Sequence, residues 1–446
     1  MIPGSLDSNT ISGIPMRLSA CTRRSTDPLV APIFRQKIGQ AVKPQANSMA
    51  VRAAFQVFLA IYVGVFVCGC RMAFTPLPRN ETRTYRSLLE WSHENGMPGV
   101  ILLVQTPQTN FLGALGWADV KRKIPIRPEH EFRIGSITKM FTGLTVAQLE
   151  REGLLKADSV ITNYLPKSIT DHIANSGRIT VKHLLQHGSG IYDFLDNPRW
   201  ILRYAVLDRR GDWPPSRHLK YVYNKPSRFP PGKRYEYSNS NFILLGLIID
   251  QVTGHSHSIE IRNRFLDPLQ LTNTYYELSE PARGERAHGY ERLPCFSLDT
   301  YDWTPITGGS MGLVSTVSDL AVFVRDVGNR MRLKGSRDSA FAAHGDDWGV
   351  VWQRADHNTT PLSVASAFSD DDRTSVFFGH AGAVPGYLCF AWRDPKRGIT
   401  IVWFGSSTLG RDRSASGRFE RIIEQALFDL TLEQPHGERE DSGHAK

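Results

Sequence analysis

The chain is poor in cysteine. It has five in 446 residues, and beyond Cys70 only Cys295 and Cys389 remain, so a disulfide has one pair to draw on. Cys389 lies inside the β-type run Tyr387-Leu388-Cys389-Phe390-Ala391-Trp392, where a buried free thiol is as good a reading as a bridge. No internal repeat is present. No basic stripe interleaved with aromatics stands out, which argues against a nucleic-acid partner. The formal charge of +9 is largely a property of the front end, where residues 1–70 carry seven Lys or Arg against two Asp. Metal-ligand spacing is also missing: His183 and His187 stand four apart on an expected helix, but no acidic or cysteine partner accompanies them, so they read as structural. No cofactor is expected. What the chain does have is length, with 41% hydrophobic and 10% aromatic residues, enough to bury a large core.

Ser136-Ile137-Thr138-Lys139 is the only Ser-x-x-Lys, and it stands where the small-residue turn Gly135-Ser136 runs into a helical pattern. Ile137, Met140, Phe141 and Leu144 follow the i, i+3, i+4, i+7 spacing of a helix that buries one face. Ser136 and Lys139 therefore share a face, one turn apart. A serine hydroxyl is a poor nucleophile at neutral pH, and a desolvated, neutral amine within reach can take its proton. Tyr237-Ser238-Asn239 is the only Tyr-x-Asn, and in an extended segment residues two apart project to the same side. It is bracketed by the turn Phe229-Pro230-Pro231-Gly232 and by an apolar helical run from Phe242 to Ile249 that ends at Gly254. His380-Ala381-Gly382 lies between the β-type runs Thr374 to Phe378 and Tyr387 to Trp392, which marks a strand edge near a turn. Two look-alikes are set aside. Gly308-Gly309-Ser310-Met311-Gly312 fits a Gly-x-Ser-x-Gly nucleophile elbow but lacks a buried strand before it. Lys396-Arg397-Gly398 follows Asp394-Pro395 and reads as a hairpin turn.

In this order and with these flanks, the three motifs resemble the active-site set of the serine β-lactamase and penicillin-binding-protein superfamily. The likeness is to its class C branch, with its D-alanyl-D-alanine carboxypeptidases, D-aminopeptidases and esterases. Phe132-Arg133-Ile134-Gly135, His183-Leu184-Leu185-Gln186-His187-Gly188-Ser189-Gly190 and Gly308 to Thr316 are similar as well, and the resemblance covers about residues 84–432. Tyr-x-Asn and His-x-Gly separate the chain from the class A pattern of Ser-Asp-Asn and Lys-Thr-Gly. The resemblance implies a serine hydrolase working through an acyl-enzyme on a peptide, a D-amino-acid amide or an ester. A penicillin-binding sensor that turns over slowly, a class C β-lactamase and a scaffold without turnover are the alternatives. It further implies that Ser136 attacks a carbonyl, that Lys139 and Tyr237 share the proton transfers, and that Asn239 holds Lys139 and the substrate amide. His380 takes the place of a lysine. The backbone N–H groups of Ser136 and Ala383, the residue after Gly382, would form the oxyanion hole. Members that bind a substrate carboxylate commonly carry a hydroxyl at the second or fourth position of the third motif, where this chain has Ala381 and Ala383. That points away from carboxypeptidase and β-lactam turnover.

The β-type runs fall near both ends of the chain: Val100 to Val104, Phe111 to Trp117, Thr374 to Phe378, Tyr387 to Trp392 and Ile399 to Phe404. An α+β fold follows, with an antiparallel five-stranded sheet covered by helices at about Arg83 to Asn95 and Gly417 to Leu430, and an inserted, mainly helical lobe. The expected hydrolase domain is 84–432, with an α/β lobe of 84–135 and 327–432 around a helical lobe of 136–326. Before it come an extension or mis-called start (1–48), a signal or anchor (49–70) and a linker (71–83); a disordered tail (433–446) follows. Between Arg52 and Arg71 runs an uncharged stretch ending Val67-Cys68-Gly69-Cys70, similar to a bacterial lipobox with Cys70 as the lipidated residue. An uncleaved anchor is the competing reading. Either one puts the catalytic part in an extracytoplasmic space, held at the membrane, with a small-molecule or peptide substrate.

Overall fold

Apolar runs from both ends of the chain meet in one sheet. The computed structural model describes residues 74–79, 83–292, 296–332, 353–354, 377–408 and 413–433, all within the unit Cys70–Lys446. The leader with Cys70, the extension 1–48, Cys295, residues 374–376 of the expected strand and the tail from 434 lie outside the described residues. Among the described residues no helix is long and apolar enough to cross a membrane.

The elements that frame the site are α1 (Tyr85–Glu94), β1 (Gly99–Gln105), β2 (Asn110–Asp119), β3 (Ile124–Pro125), α2 (Thr138–Arg151), α3 (Asn239–Thr253), α4 (Val317–Arg332), β4 (Gln353–Arg354), β5 (Phe378–Val384), β6 (Tyr387–Asp394), β7 (Ile399–Gly405) and α5 (Arg413–Glu433). The sheet order is β3-β2-β1-β7-β6-β5-β4. Four of the five expected strands lie at its centre as β1, β2, β6 and β7; the strand expected at Thr374 to Phe378 is instead β5, which begins at Phe378 and runs on to Val384, and two two-residue strands extend the edges. The first and last parts of the chain join where β1 pairs with β7, with Ile101 opposite Phe404 and Leu103 opposite Val402.

Both faces of this sheet are covered, so the central strands read as unbroken apolar runs rather than alternating ones. Ile101, Leu103, Cys389, Ala391, Val402 and Phe404 face the helical lobe. Val100, Leu102, Phe390, Trp392, Ile401 and Trp403 face the opposite side, with Leu88, Trp91, Phe419 and Ile423 of α1 and α5. Full burial of each such side chain contributes roughly 1.5–3 kcal/mol. Helix α1 starts after Thr84, whose hydroxyl accepts from the Ser87 N–H while the Ser87 hydroxyl accepts from the Thr84 N–H. Gly254, at φ +72, ends α3 in the left-handed conformation that glycine takes without strain.

Two expectations need correcting. Helix α2 does not bury one face only: Thr138, Thr142 and Thr145 are buried along with Met140, Phe141 and Leu144. Their hydroxyls allow this, since Thr142 donates to the Gly309 carbonyl (2.7 Å) and Thr145 to the Phe141 carbonyl (2.9 Å). His380 is not at a strand edge beside a turn. Strand β5 runs on through it to Val384, and the turn is Pro385-Gly386. The Lys396-Arg397-Gly398 look-alike is indeed a hairpin turn, where Asp394 Oδ1 accepts from the N–H groups of Lys396 and Arg397 and Gly398 has φ +76.

Candidate active site

Ser136 sits in a single 3-10 turn, Gly135–Ile137, that leads into α2. The preceding pair Phe132–Arg133 is fastened to Leu313–Ser315, and the Phe132 ring stacks on Phe404 of the central sheet at 4.1 Å. Arg133 is buried and gives a two-pronged bond to Glu277, at 2.8 Å through each nitrogen, plus one to the Trp303 carbonyl. The Ser136 turn is thus held from behind by an aromatic stack and a guanidinium clamp.

Lys139, one turn on, is 1% exposed. Its Nζ lies 2.8 Å from Ser136 Oγ, 2.8 Å from Asn239 Oδ1 and 2.9 Å from the Ser310 carbonyl oxygen. Asn239 Oδ1 and the Ser310 carbonyl can only accept. A neutral amine therefore spends both N–H groups on them and turns its lone pair to the serine hydroxyl. Burial brings the Lys139 pKa down to about 7, opposed by the charge of Asp193.

Tyr237 Oη stands 3.0 Å from Ser136 Oγ. Ser238, in an extended conformation, leads straight into α3, so Asn239 is the first residue of a helix rather than the third of an extended run. The two side chains still converge on the Ser136–Lys139 pair. His187, set aside in the sequence as structural, stacks on the Tyr237 ring at 4.3 Å and accepts from the Ser238 N–H (3.1 Å) through Nδ1. Burial, with Lys139 and His380 nearby, holds His187 well below the usual histidine range.

Strand β5 reaches the Ser136 turn by backbone contact. A Cβ on Gly382 would stand 2.1 Å from the Ile134 carbonyl oxygen, and one on Gly135, at φ +51, would stand 2.9 Å from the Ala383 nitrogen. Val384 pairs with Tyr387 across the two-residue turn, and Ala383 pairs next with Leu388. Antiparallel alternation then points the Ala383 N–H away from β6, toward Gly135-Ser136. His380 is buried, its Nδ1 bonds the Ala381 carbonyl oxygen, and burial beside Lys139 drives its pKa down to about 3. It is a neutral donor and acceptor, not a cation. Ala381 packs against the apolar cluster on the α1 and α5 side of the sheet, and Ala383 is exposed.

Two participants carried no readable signal. Asp193, in the loop after His187, accepts from Asn239 Nδ2 at 2.8 Å. Ser310 was a decoy nucleophile; its side chain is fully buried, and it is its carbonyl that reaches Lys139. A lone aspartate in a loop and a main-chain oxygen leave no spacing pattern to find. Cys389 is a free, buried thiol. Among the described residues no group of three or more His, Cys, Asp or Glu could hold a metal ion, and His183 instead closes the capping box of Thr180.

Residues 75–426 match the family described as Beta-lactamase. Protein flp of Staphylococcus aureus (strain COL) is 28% identical over 331 residues, 71% of this chain and 61% of that protein. The chain therefore spans about three-fifths of that relative's length. The teichoic acid D-alanine hydrolase of Staphylococcus aureus is 26% identical over 206 residues, 46% of this chain and 48% of that protein. Among solved structures, the D-amino acid amidase of Ochrobactrum anthropi SV3 in complex with L-phenylalanine superposes with a TM-score of 0.62 at 22% identity, covering 78% of this chain and 96% of that one. At that identity the likeness is one of fold.

Proposed function

Because the chain belongs to the Beta-lactamase family, we propose that it is a serine hydrolase that forms an acyl-enzyme on Ser136. The observation that carries this reading is the buried tripod at Lys139 Nζ, with Ser136 Oγ, Asn239 Oδ1 and the Ser310 carbonyl all within 2.9 Å. Ser136 Oγ attacks a carbonyl carbon as its proton passes to Lys139, with Tyr237 as the relay that returns a proton to the leaving group. The N–H groups of Ser136 and Ala383 stabilise the developing oxyanion, each contributing roughly 3 kcal/mol. Water then cleaves the acyl-enzyme by the reverse proton path, releasing acid and free Ser136.

The substrate is a simple ester, an amide or a D-amino-acid amide rather than a compound with a carboxylate beside the scissile bond. Ala381 and Ala383 have no side-chain donor for a carboxylate. The names of the amidase and the D-alanine hydrolase are consistent with that class. The lipobox-like Val67-Cys68-Gly69-Cys70 supports an extracytoplasmic location with a tether at Cys70.

A panel of p-nitrophenyl ester, D-amino-acid amide, nitrocefin and a peptide ending in D-Ala-D-Ala tests the reading. The ester or amide is expected to give the highest kcat/KM. Preferred turnover of nitrocefin or of the D-Ala-D-Ala peptide contradicts the substrate class, and a stable adduct without turnover favours the sensor alternative.

A further inference from the structure

We propose that Asp193 is a positioning residue for this chemistry: its carboxylate fixes Asn239 in the one amide orientation that offers Oδ1 to Lys139, and so orients the base at Ser136. The inference rests on the acyl-enzyme reading above and adds a group outside the three motifs. Asp193 Oδ2 accepts from Asn239 Nδ2 at 2.8 Å, and Oδ1 accepts from the Leu195 N–H at 3.1 Å. A carboxylate can only accept, so the side of the amide turned to it must be NH2 and the side turned to Lys139 must be the carbonyl. The opposite flip would set oxygen against oxygen at Asp193 and N–H against N–H at Lys139, losing both bonds.

The start of the helix suits a carboxylate as well. Ser238, the residue that caps α3, gives that helix no side-chain cap bond. Asp193 places a carboxylate there from 46 residues upstream, bonding the first helical residue through its side chain. A negative charge there also suits the positive end of a 15-residue helix. The residue is 6% exposed, so its charge acts at low dielectric on Lys139, one amide away.

The groups facing Lys139 are Asp193 from this loop, His187 from the segment after the 181–185 helix, Tyr237 and Asn239 at the start of α3, and His380 of β5. His187 and His380 are held neutral by burial. Among the described residues Asp193 is thus the charge that raises the lysine's proton affinity.

The test measures the rate of Ser136 labelling by a fluorophosphonate against pH, in wild type and in Asp193→Asn. The variant is expected to label about tenfold or more slowly near pH 8, and the acid limb of its profile is expected to move to lower pH, because the charge favouring protonated Lys139 is gone. A purely structural role would lower the labelled fraction and leave the limb in place. Asp193→Ser, which keeps a hydroxyl for the Leu195 N–H, replaces the first variant if that one does not fold, with the same expectations. Failure of both to fold assigns Asp193 to the scaffold and overturns the proposal. An unchanged rate and limb overturn it while leaving the acyl-enzyme reading intact. No adduct on wild type brings down both.

Discussion

Gly382 and Ile134 are in backbone contact: a Cβ on the glycine would stand 2.1 Å from the carbonyl oxygen of Ile134. The third motif is therefore pressed against the segment that carries the nucleophile, and any side chain at 382 must push strand β5 and the Ala383 N–H away from Ser136. Gly382→Ala is expected to keep the central sheet and to lose about 10²-fold or more in acylation rate, the scale for removing one oxyanion donor. Stopped-flow measurement of the acylation burst checks this. A rate within a factor of two of wild type would mean that β5 does not supply that donor.

The Lys139 amine sets the pH dependence. Its pKa is brought down to about 7 by burial, and the reactive form is the neutral one, so activity rises with pH through about 7 and is lost on the acid side. The folded value lies below the ordinary lysine value of 10.5. Between the two the unfolded chain holds more protons, so this residue's contribution to stability increases as pH rises across that window. A kcat/KM profile from pH 5 to 10 provides the check. Activity that appears only near pH 10 would mean an ordinary, charged lysine and would contradict the assigned role.

Tyr237 Oη is 3.0 Å from Ser136 Oγ, and its ring is half-buried. Tyr237→Phe removes one oxygen and leaves the ring's stack on His187. The expected result is a fall of about 10²-fold or more in rate with a thermal midpoint close to wild type. An unchanged rate would refute the proton-relay role.

How far the sequence carried this picture depends on what kind of signal each part leaves. The sheet was legible because β1, β6 and β7 are runs of Val, Ile, Leu, Phe and Trp that no exposed segment would contain. The motifs were legible because Ser136 and Lys139, and likewise Tyr237 and Asn239, stand at fixed short spacings in the sequence. The Tyr237-Ser238-Asn239 segment was read as extended throughout, although Asn239 begins a helix, because three residues where a loop enters a helix have no period of their own. Helix α2 was read as one-sided because its buried threonines look polar in sequence, and only the Gly309 carbonyl opposite Thr142 shows why they can be buried. Asp193 and the Ser310 carbonyl escaped for a different reason: they act through tertiary contact from loops, where no spacing rule applies.

His187 shows how a residue set aside as structural bears on the site. It holds φ +48, stacks on Tyr237 and accepts from the Ser238 N–H. His187→Ala leaves that buried N–H unpaired, at a cost of about 1–3 kcal/mol, and removes one wall of the tyrosine's slot. Chemical denaturation should show the loss of stability, and steady-state kinetics a lower kcat. An equally stable, equally active variant would show that the stack plays no part in holding Tyr237.

The most direct measurement is the mass of the intact protein after reaction with a fluorophosphonate, followed by peptide mapping. One adduct per chain, mapped to Ser136 and absent from a Ser136→Ala variant that melts like wild type, is the expected result. An adduct that persists in Ser136→Ala, or wild-type protein that takes up none, would contradict the account at its centre.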